Sequence, residues 1–330
     1  MKAAWYESKG PAAQVLRVGE LPDPEPLAGE VRVRIHVSAV NPSDTKNRGG
    51  ARGNITMPFP RIVPHQDGAG VIDRVGAGVD ASRIGERVWV YEATQGRAFG
   101  TAAQFTTVPT HKAVRLPDGV SFEHGACLGI PAMTAHRCVF ADGPVTGQTV
   151  LVQGGAGAVG FYAVQFARLG GAAKVIATVS RDEQAARALE AGAHTVINYR
   201  TEPVVERVAA LLEGRPLNRI VEVAAGVNLA QDVEMLGPRG VIAAYGSDAE
   251  PLPTLPFFSM LTKDLTLRTV LVYVMSEAAH ADAVAAITAH LQRGEFKHQI
   301  QGIHELGDIV AVHEACESMK NLGKILIRIP

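Results

Sequence analysis

The first third of the chain alternates apolar and polar positions. In VRVRIHVSAV (residues 31–40), valine or isoleucine stands at every second position up to Val37, a period that places those side chains on one face of a strand. Similar short runs follow in GAGVIDRVGAG, GERVWVYEA and AQFTTVP, separated by glycine, proline or aspartate. Short strands joined by such turn residues predict a compact β-barrel.

The spacing becomes helical at Ser121, a plausible N-cap for the segment SFEHGACLGIPAMTAHRCVF. A βα alternation then begins with TVLVQ (149–153), whose continuous apolar character is typical of a strand buried on both faces. The later strands are KVIATV, TVINY, RIVEVA, GVIAAYG and LTLRTVLVY (265–273), and helices are predicted after the first four strands of the series. Strands alternating with helices in this way predict a doubly wound parallel sheet of the Rossmann type.

Strand character returns near the C-terminus in QIQGIHEL and KILIRI, after a helix predicted at 276–293. The β-rich domain is therefore predicted to be split, comprising residues 1–122 and 296–330, with the parallel-sheet domain at 123–295 inserted in it. A chain of 330 residues is also longer than one hydrophobic core usually organises.

Composition excludes several classes of partner. A net charge of −1 gives no electrostatic argument for nucleic acid or a membrane surface. No apolar run reaches the roughly 18 residues that span a bilayer, and the start MKAAWYESKG lacks the apolar centre of a signal peptide. We therefore expect a cytoplasmic protein.

The central motif is QGGAGAVG (153–160), in which Gly155, Gly157 and Gly160 satisfy GxGxxG between a predicted strand and a predicted helix. In that context the glycines let the backbone approach a pyrophosphate, and the helix N-terminus offers unpaired N–H groups. The alternative is a tight strand-to-helix turn with no ligand. The next strand ends in Ser180 and Arg181, where NAD sites place an acid about 20 residues after the motif. Since an arginine can hold a 2′-phosphate, we predict NADPH.

With these residues assembled, the chain resembles the medium-chain dehydrogenase/reductase superfamily, and within it the zeta-crystallin-like quinone oxidoreductases. The resemblance runs from end to end and implies a Rossmann domain with a GroES-like β-barrel domain. It rests on VNPSDTKNRGG (40–50), HQDGAGVIDRVGAGV (65–79), GIPAMTAHR (129–137), VLVQGGAGAVG (150–160), VINYR (196–200), VEVAAGVNLAQDVEML (221–236) and GKILI (323–327).

The resemblance also implies which residues contact the cofactor and the substrate. Asn41 matches the asparagine of the substrate cleft between the domains, and Asn41 and Lys46 are the candidate donors to an acceptor oxygen that gains negative charge. The implied cofactor contacts are Thr134, Ala156, Gly157, Ala158, Val159, Ser180, Arg181, Tyr199, Asn228, Tyr245, Gly246, Ser247, Thr269, Val270 and Leu271.

Two departures from family patterns bear on the chemistry. Zinc-dependent relatives carry a Cys and a His where this chain has Pro42 or Ser43 and Gln66, so no metal site is predicted. His65 is interpreted as a hydrogen-bonded loop residue, and Cys127 and Cys138 as core. Lys46 and Arg52 stand where quinone reductases usually have aromatic residues. These two cations favour an anionic substrate or a more distal phosphate if they face the cleft, and carry no such implication if they face solvent.

The predicted function is zinc-independent transfer of hydride from NADPH to a quinone-like small-molecule acceptor. The alternatives are an alkenal, enone or enoyl-thioester reductase and, from another class, a non-catalytic NADPH-binding structural or RNA-binding protein. The resemblance further implies a homodimer formed through the edge strand LTLRTVLVY, which no proline protects.

Overall fold

A computed structural model describes the protein at residues 1–53 and 55–330, the side chain of Arg52 excepted. The strands, in chain order, are β1 (Lys2–Trp5), β2 (Arg17–Glu20), β3 (Glu30–Ala39), β4 (Asp67–Val75), β5 (Arg87–Val90), β6 (Phe105–Pro109), β7 (Ala113–Arg115), β8 (Thr149–Val152), β9 (Lys174–Val179), β10 (Thr195–Asn198), β11 (Leu217–Glu222), β12 (Leu236–Ala244), β13 (Thr266–Thr269), β14 (Ile300–Glu305) and β15 (Lys324–Arg328).

The α-helices, in chain order, are α1 (Ala12–Val15), α2 (Pro42–Gly49), α3 (Phe122–Ala126), α4 (Gly129–Phe140), α5 (Ala158–Leu169), α6 (Asp182–Glu190), α7 (Val204–Leu212), α8 (Ala225–Met235), α9 (Phe257–Lys263), α10 (Glu277–Gln292) and α11 (Ile309–Glu317). Single 3₁₀ turns lie at Ala51–Gly53, Ala81–Arg83, Thr110–Lys112, Val272–Val274 and Leu306–Asp308. Within the described residues, no helix is both long enough and apolar enough to cross a membrane.

The chain divides into two compact units, residues 1–130 with 284–330 and residues 131–283. One division falls inside α4 and the other inside α10. The boundaries expected from the sequence were 122/123 and 295/296. Because the hydrophobic pattern continues through a helix that passes from one unit to the other, the pattern carries no signal at the division itself.

The unit of residues 131–283 is built on a sheet with the strand order β10-β9-β8-β11-β12-β13, in which each neighbouring pair is parallel. The chain starts at β8 in the middle, moves outward to β10, and returns to β11 on the other side of β8. This is the order of the doubly wound dinucleotide-binding fold, so the predicted sheet is confirmed. All four residues of β8 are buried, as expected for a strand covered on both faces.

The edge strand of this sheet is shorter than predicted. The pattern LTLRTVLVY suggested a strand over 265–273, but β13 ends at Thr269 and residues 272–274 form a 3₁₀ turn. The Val270 N–H still donates to the Ala244 carbonyl at 2.8 Å. The apolar pattern in the sequence therefore extends beyond the last residue that is hydrogen-bonded to β12.

The other unit takes strands from both ends of the chain. Its main sheet has the order β14-β15-β3-β4-β5-β7, β6 pairs with β3, and β1 pairs with β2. β15 lies antiparallel to β3, with Leu326 opposite Ala39. The predicted return of the C-terminus to the β-rich domain is therefore observed. Its core is aliphatic, with fully buried residues such as Val33, Ile72 and Leu326.

The helical segment that begins after Ser121 consists of two helices, α3 and α4. Ser121 is the N-cap of α3, because its hydroxyl accepts a hydrogen bond from the His124 N–H at 3.2 Å. Cys127 and Cys138 are completely buried, which confirms their interpretation as core residues.

Candidate functional site

In the parallel-sheet unit, the glycine-rich turn joins β8 to α5 at the point where the strand order reverses. Open α/β sheets bind ligands at the carboxyl ends of their strands at this position. Gly154 has a φ of +67°, so the turn depends on a residue that tolerates the left-handed region. Gly157 is the N-cap of α5 and has no side chain that could cap the helix.

Two glycines of the motif let the backbone pack closely. A Cβ atom on Gly155 would lie 2.6 Å from the Ala177 Cβ on β9, and one on Gly160 would lie 2.2 Å from the Gly154 carbonyl oxygen. The first-turn N–H groups of α5 have no intrahelical acceptor and end at an exposed Gly157. This arrangement suits a phosphate group. The predicted contacts Ala156, Gly157, Ala158 and Val159 form this turn, Ala156 being the buried member.

Ser180, Arg181 and Tyr199 follow the ends of the adjacent strands β9 and β10. Arg181 is exposed and stands at the N-cap of α6, and Tyr199 is half exposed with its N–H bonded to the Val179 carbonyl. The Ser180 hydroxyl donates to the Gln184 side chain at 2.7 Å. These three residues lie at one edge of the sheet, as a shared site requires.

A chain of buried polar groups lies beneath the glycine turn. The Gly154 N–H donates to the Thr178 hydroxyl at 3.1 Å, and that hydroxyl donates to Gln153 Oε1 at 2.6 Å. Gln153 Nε2 in turn donates to Asp232 Oδ1 at 3.2 Å. Sequence reasoning missed Gln153, Thr178 and Asp232, because only the folded sheet brings these three polar residues together.

Asn228 belongs to the same cluster, through Glu222 at the end of β11. Its Nδ2 lies 3.2 Å from each carboxylate oxygen of Glu222, which also accepts the Ala224 N–H. Burial raises the pKa of Glu222, and burial together with the charge of Glu222 raises the pKa of Asp232 to about 9. Glu222 was not among the predicted residues either.

The remaining predicted cofactor contacts lie near the ends of β12 and β13 or in α4. The Tyr245 N–H donates to the Glu222 carbonyl at 2.9 Å, and Ser247 Oγ accepts from the Gly226 N–H at 2.8 Å. Tyr245, Gly246 and Ser247 therefore lie against the connection that carries Asn228. Thr269, Val270 and Leu271 continue from β13 beside the end of β12, and Thr134 is buried in α4.

In the β-rich unit, Asn41 lies in a buried cluster with Asp67 and Lys324. Lys324 Nζ donates to Asn41 Oδ1 at 2.6 Å and to Asp67 Oδ2 at 3.2 Å, and Asn41 Nδ2 donates to the same Asp67 oxygen at 2.8 Å. The Ile130 N–H donates to the other oxygen of Asp67. Lys324 was missed because it lies 283 residues along the chain from Asn41.

His65 lies in a directed chain of hydrogen bonds. Thr101 donates to the Asp67 carbonyl, so the Ser38 hydroxyl must donate to Thr101 and accept from His65 Nδ1. His65 Nε2 is then an acceptor for His313 Nε2, 3.0 Å away. The interpretation of His65 as a hydrogen-bonded residue is confirmed, and burial keeps the pKa of His65 and His313 well below the usual range.

Lys46 is exposed in the last turn of α2, and the Arg52 side chain lies outside the described residues. The same unit contains a cavity of about 390 Å³. In the described part of the chain, neither Asn41 nor Lys46 lines this cavity, and the lining side chains include Tyr6, Lys9, Asp44, Phe59 and His65.

The positions at which the resemblance implies the zinc ligands of zinc-dependent relatives are Pro42 or Ser43 and Gln66. Gln66 is buried, and its Oε1 accepts the Thr94 N–H at 3.0 Å. Residues 1–53 and 55–330 hold no group of three or more His, Cys, Asp or Glu side chains that could bind a metal ion. Burial raises the pKa of both Cys127 and Cys138 to about 12, which keeps them as thiols.

Comparison with known proteins gives matches in both units. Residues 27–118 match the family described as alcohol dehydrogenase GroES-like domain, and residues 158–289 match the zinc-binding dehydrogenase family. The chain is 31% identical to a quinone oxidoreductase of Salmonella typhimurium over 75% of this chain and 73% of that protein. It is 28% identical to a 2-haloacrylate reductase of a Burkholderia species over 99% of this chain and 98% of that protein.

Among solved structures, the quinone oxidoreductase of Escherichia coli complexed with NADPH superimposes with a TM-score of 0.85. That protein is 25% identical in sequence, and the match covers 99% of this chain and all of the other.

Asp44, in the first turn of α2, generates a prediction about stability and pH. It is buried, and burial together with the nearby charge of Asp67 raises its pKa from 3.8 to about 7, although Lys324 opposes the shift. A carboxyl with a raised folded-state pKa stabilises the fold below its unfolded pKa and loses that contribution as the pH rises through the folded value. Asp44→Asn keeps an acceptor for the Asn41 N–H and removes the titration. We expect the free energy of unfolding of this variant, measured with urea, to increase relative to that of the wild type as the pH rises from 4 to 7.

The control for this measurement is Asp118→Asn, which changes an exposed acid in the same unit. Its difference from the wild type should stay constant across that pH range. Parallel profiles for Asp44→Asn and the wild type would contradict the prediction.

Proposed function

Because the chain belongs to the quinone oxidoreductase-like branch of the medium-chain dehydrogenase/reductase family, we propose that it is a zinc-independent, NADPH-dependent oxidoreductase that reduces a quinone-like acceptor. The observation that carries this proposal is the site at the carboxyl edge of the parallel sheet. There the uncapped N-terminus of α5 adjoins a strand end occupied by serine and arginine and by no acid.

The proposed roles of the residues follow from their chemistry. The first-turn N–H groups of α5 bind the pyrophosphate, and the Arg181 guanidinium, with Ser180 and Tyr199 beside it, binds the 2′-phosphate. Asn228, held by Glu222, contacts the nicotinamide half together with Tyr245–Ser247 and Thr269–Leu271. Bound NADPH would supply the hydride, and the protein would orient it and exclude water.

On the acceptor side, the side-chain amide of Asn41 and the ammonium of Lys46 are the proposed donors to the oxygen that becomes negatively charged. The Lys324 ammonium, 2.6 Å from Asn41 Oδ1, polarises the Asn41 amide and holds it in place. Donors of this kind replace the Lewis acid of zinc-dependent relatives, since Pro42 or Ser43 and Gln66 offer neither thiolate nor imidazole.

A second candidate function is reduction of an electron-poor carbon–carbon double bond, as in an alkenal, an enone or an enoyl thioester. The similarity to a 2-haloacrylate reductase over nearly the whole chain favours it. This reaction uses the same hydride donor and a different acceptor pocket. A non-catalytic NADPH-binding protein would bind the cofactor and consume none of it with any acceptor.

We expect the purified protein to oxidise NADPH in the presence of at least one quinone, and to keep that activity after EDTA treatment, because no zinc is required. A panel of quinones, enones, alkenals and 2-haloacrylates, followed at the absorbance of NADPH, ranks the acceptors. Stoichiometric zinc in metal analysis, with activity lost on chelation and restored by zinc, would overturn zinc independence. Turnover with double-bond acceptors alone would favour the second candidate function.

Arg181 should set the preference for NADPH over NADH. Arg181→Glu replaces a charge-assisted hydrogen bond to the 2′-phosphate with repulsion, so we expect the ratio of the two affinities to fall by about tenfold or more. Fluorescence titration with each cofactor gives the ratio. Arg187→Glu changes another partly exposed arginine of the same helix, one that pairs with Glu190, and should leave the ratio unchanged. Equal affinities in the wild type, with no change in Arg181→Glu, would refute the assignment.

We further propose a homodimer formed along β13. This strand is the last in the sheet order, and the segments that precede and follow it in the chain carry exposed apolar side chains, including Phe258 at 76% and Val274 at 73% exposure. Since the Val270 N–H is directed to β12, alternation directs the N–H groups of Leu267 and Thr269 to the open edge. An unprotected edge with apolar neighbours suits pairing with a second copy.

The dimer is tested by placing a charge in its proposed interface. Val274→Glu should shift the wild-type dimer towards monomer in sedimentation velocity at micromolar concentration, because the carboxylate would be buried without a partner. Leu27→Glu introduces the same charge at an exposed leucine of the other unit and should leave the dimer intact. A wild-type protein that sediments as a monomer would refute the dimer and leave the proposed chemistry unaffected.

A further inference from the structure

Two carboxyl groups, Glu222 and Asp232, meet beneath the glycine turn. Glu222 ends β11 and Asp232 lies on α8, and both side chains are completely shielded from solvent. The two carboxyl groups are near neighbours, since each acts on the pKa of the other. Two carboxylates can only accept hydrogen bonds, so a hydrogen bond between them requires a proton on one of them.

The directions of the surrounding hydrogen bonds show which atom can carry that proton. The Gly154 N–H can only donate, so Thr178 accepts from it and gives its own hydrogen to Gln153 Oε1. Gln153 must then present its amide nitrogen to Asp232 Oδ1, which accepts. Asp232 Oδ2 is buried and receives no hydrogen bond from the described residues. A proton on Oδ2 makes it a donor to Glu222 and satisfies both carboxyl groups.

Glu222 has the environment of the ionised partner. Its carboxylate accepts from the Ala224 N–H and from the Asn228 amide. Such bonds favour the charged form of a carboxyl, whereas Asp232 receives only the Gln153 amide. Burial and the adjacent negative charge raise the pKa of Asp232 to about 9.

In the part of the chain that the structure describes, no cation neutralises the pair. Tyr245, which follows β12, lies near Glu222, and it is neutral because burial raises its pKa. Lys263 of α9 is engaged by the carbonyls of residues 233, 234 and 236 at the C-terminal end of α8, and Arg207 of α7 pairs with Glu202. Within residues 1–53 and 55–330, neither Glu222 nor Asp232 forms an ion pair with a Lys, Arg or His side chain.

We propose that Glu222 and Asp232 share one proton, that this proton holds the glycine turn and Asn228 together in the geometry that binds NADPH, and that cofactor binding is consequently lost when the pair ionises. Glu222 and Asp232 are positioning residues in this scheme, since both are buried beneath the turn. The link to the cofactor rests on the proposed function, whereas the shared proton is a property of the protein alone.

Loss of the proton would act on binding in two ways. The repelling carboxylates would separate, which disturbs Asn228 on one side and, through Gln153 and Thr178, the Gly154 N–H on the other. A second buried negative charge would also lie beneath a site that binds phosphates. NADPH therefore binds the protonated form more tightly, and above the pKa of the pair its binding takes up close to one proton.

The test compares the wild type with Asp232→Asn and Glu234→Gln. Asparagine keeps an oxygen to accept from Gln153 and an amide N–H to donate to Glu222, so it reproduces the protonated acid without titrating. Glu234 is an exposed acid on the same helix and serves as the matched control. The dissociation constant for NADPH is measured between pH 6.5 and 10, and proton uptake is measured by calorimetry in buffers of different ionisation enthalpy. Infrared difference spectra at pH 7 without cofactor record the C=O band of a protonated carboxylic acid.

For the wild type and Glu234→Gln, we expect the dissociation constant to rise above the titration of the pair by up to about tenfold per pH unit, with matching proton uptake. For Asp232→Asn, we expect a flat profile, no proton uptake and loss of the carboxylic-acid band. A band that persists in Asp232→Asn, or a variant profile that follows the wild type, would overturn the proposal. If the band is present in the wild type and lost in Asp232→Asn, but the wild type binds no NADPH at any pH, the shared proton is established, its role in binding is overturned and the proposed function is refuted.

Discussion

The parallel-sheet unit depends on a close approach of backbone to backbone at the glycine turn. A Cβ atom at position 160 would lie 2.2 Å from the Gly154 carbonyl oxygen, so α5 can begin directly above β8 only because Gly160 has no side chain. That proximity directs the free N–H groups of the first turn towards the carboxyl edge of the sheet. It also fixes the Gly154 N–H over Thr178, which connects the turn to the buried polar chain beneath it. The site and its support thus follow from one steric condition.

The β-rich unit depends on a different constraint, the pairing of β15 with β3. This antiparallel pairing places the last strand beside the one that precedes Asn41, and Lys324 at the start of β15 then reaches both Asn41 and Asp67. Asp67 is buried, and without the lysine its charge would have no neutralising partner. The geometry of Asn41 is therefore coupled to the correct docking of the C-terminus.

Local patterns were sufficient to predict the alternation of strands and helices from β8 to β12, the parallel sheet and the position of the glycine turn, whereas α9 and α11 were not predicted. The GxGxxG spacing and the Ser180–Arg181 pair lie within short segments, and the chemistry of these segments can be inferred from their residue types alone. The supporting residues could not be predicted in this way. Gln153 and Thr178 look like ordinary strand positions, and Glu222 and Asp232 look like ordinary charged ones, until neighbouring strands place them side by side. Lys324 similarly shows no role until β15 is paired.

The end of β13 shows the limit of pattern reasoning from the other direction. Valine and leucine continue past Thr269, so the strand was predicted to be longer than it is. The chain turns away after the Val270 N–H has bonded to Ala244, and the apolar residues that follow are partly left in solvent. A hydrophobic pattern shows which residues are able to form a strand. The presence of a partner strand determines which of those residues do form one.

The two units bury acids in different ways, and the difference has a physical consequence. Asp67 is neutralised by a lysine, because the Lys324 ammonium lies 3.2 Å from Asp67 Oδ2. Asp232 is adjacent to another acid, so only a proton can compensate its burial. A lysine at that place would compete with Gln153 for Asp232 and with Asn228 for Glu222, and so would break the hydrogen bonds that connect the glycine turn to α8. A single proton satisfies the same two oxygens and leaves both of these connections intact.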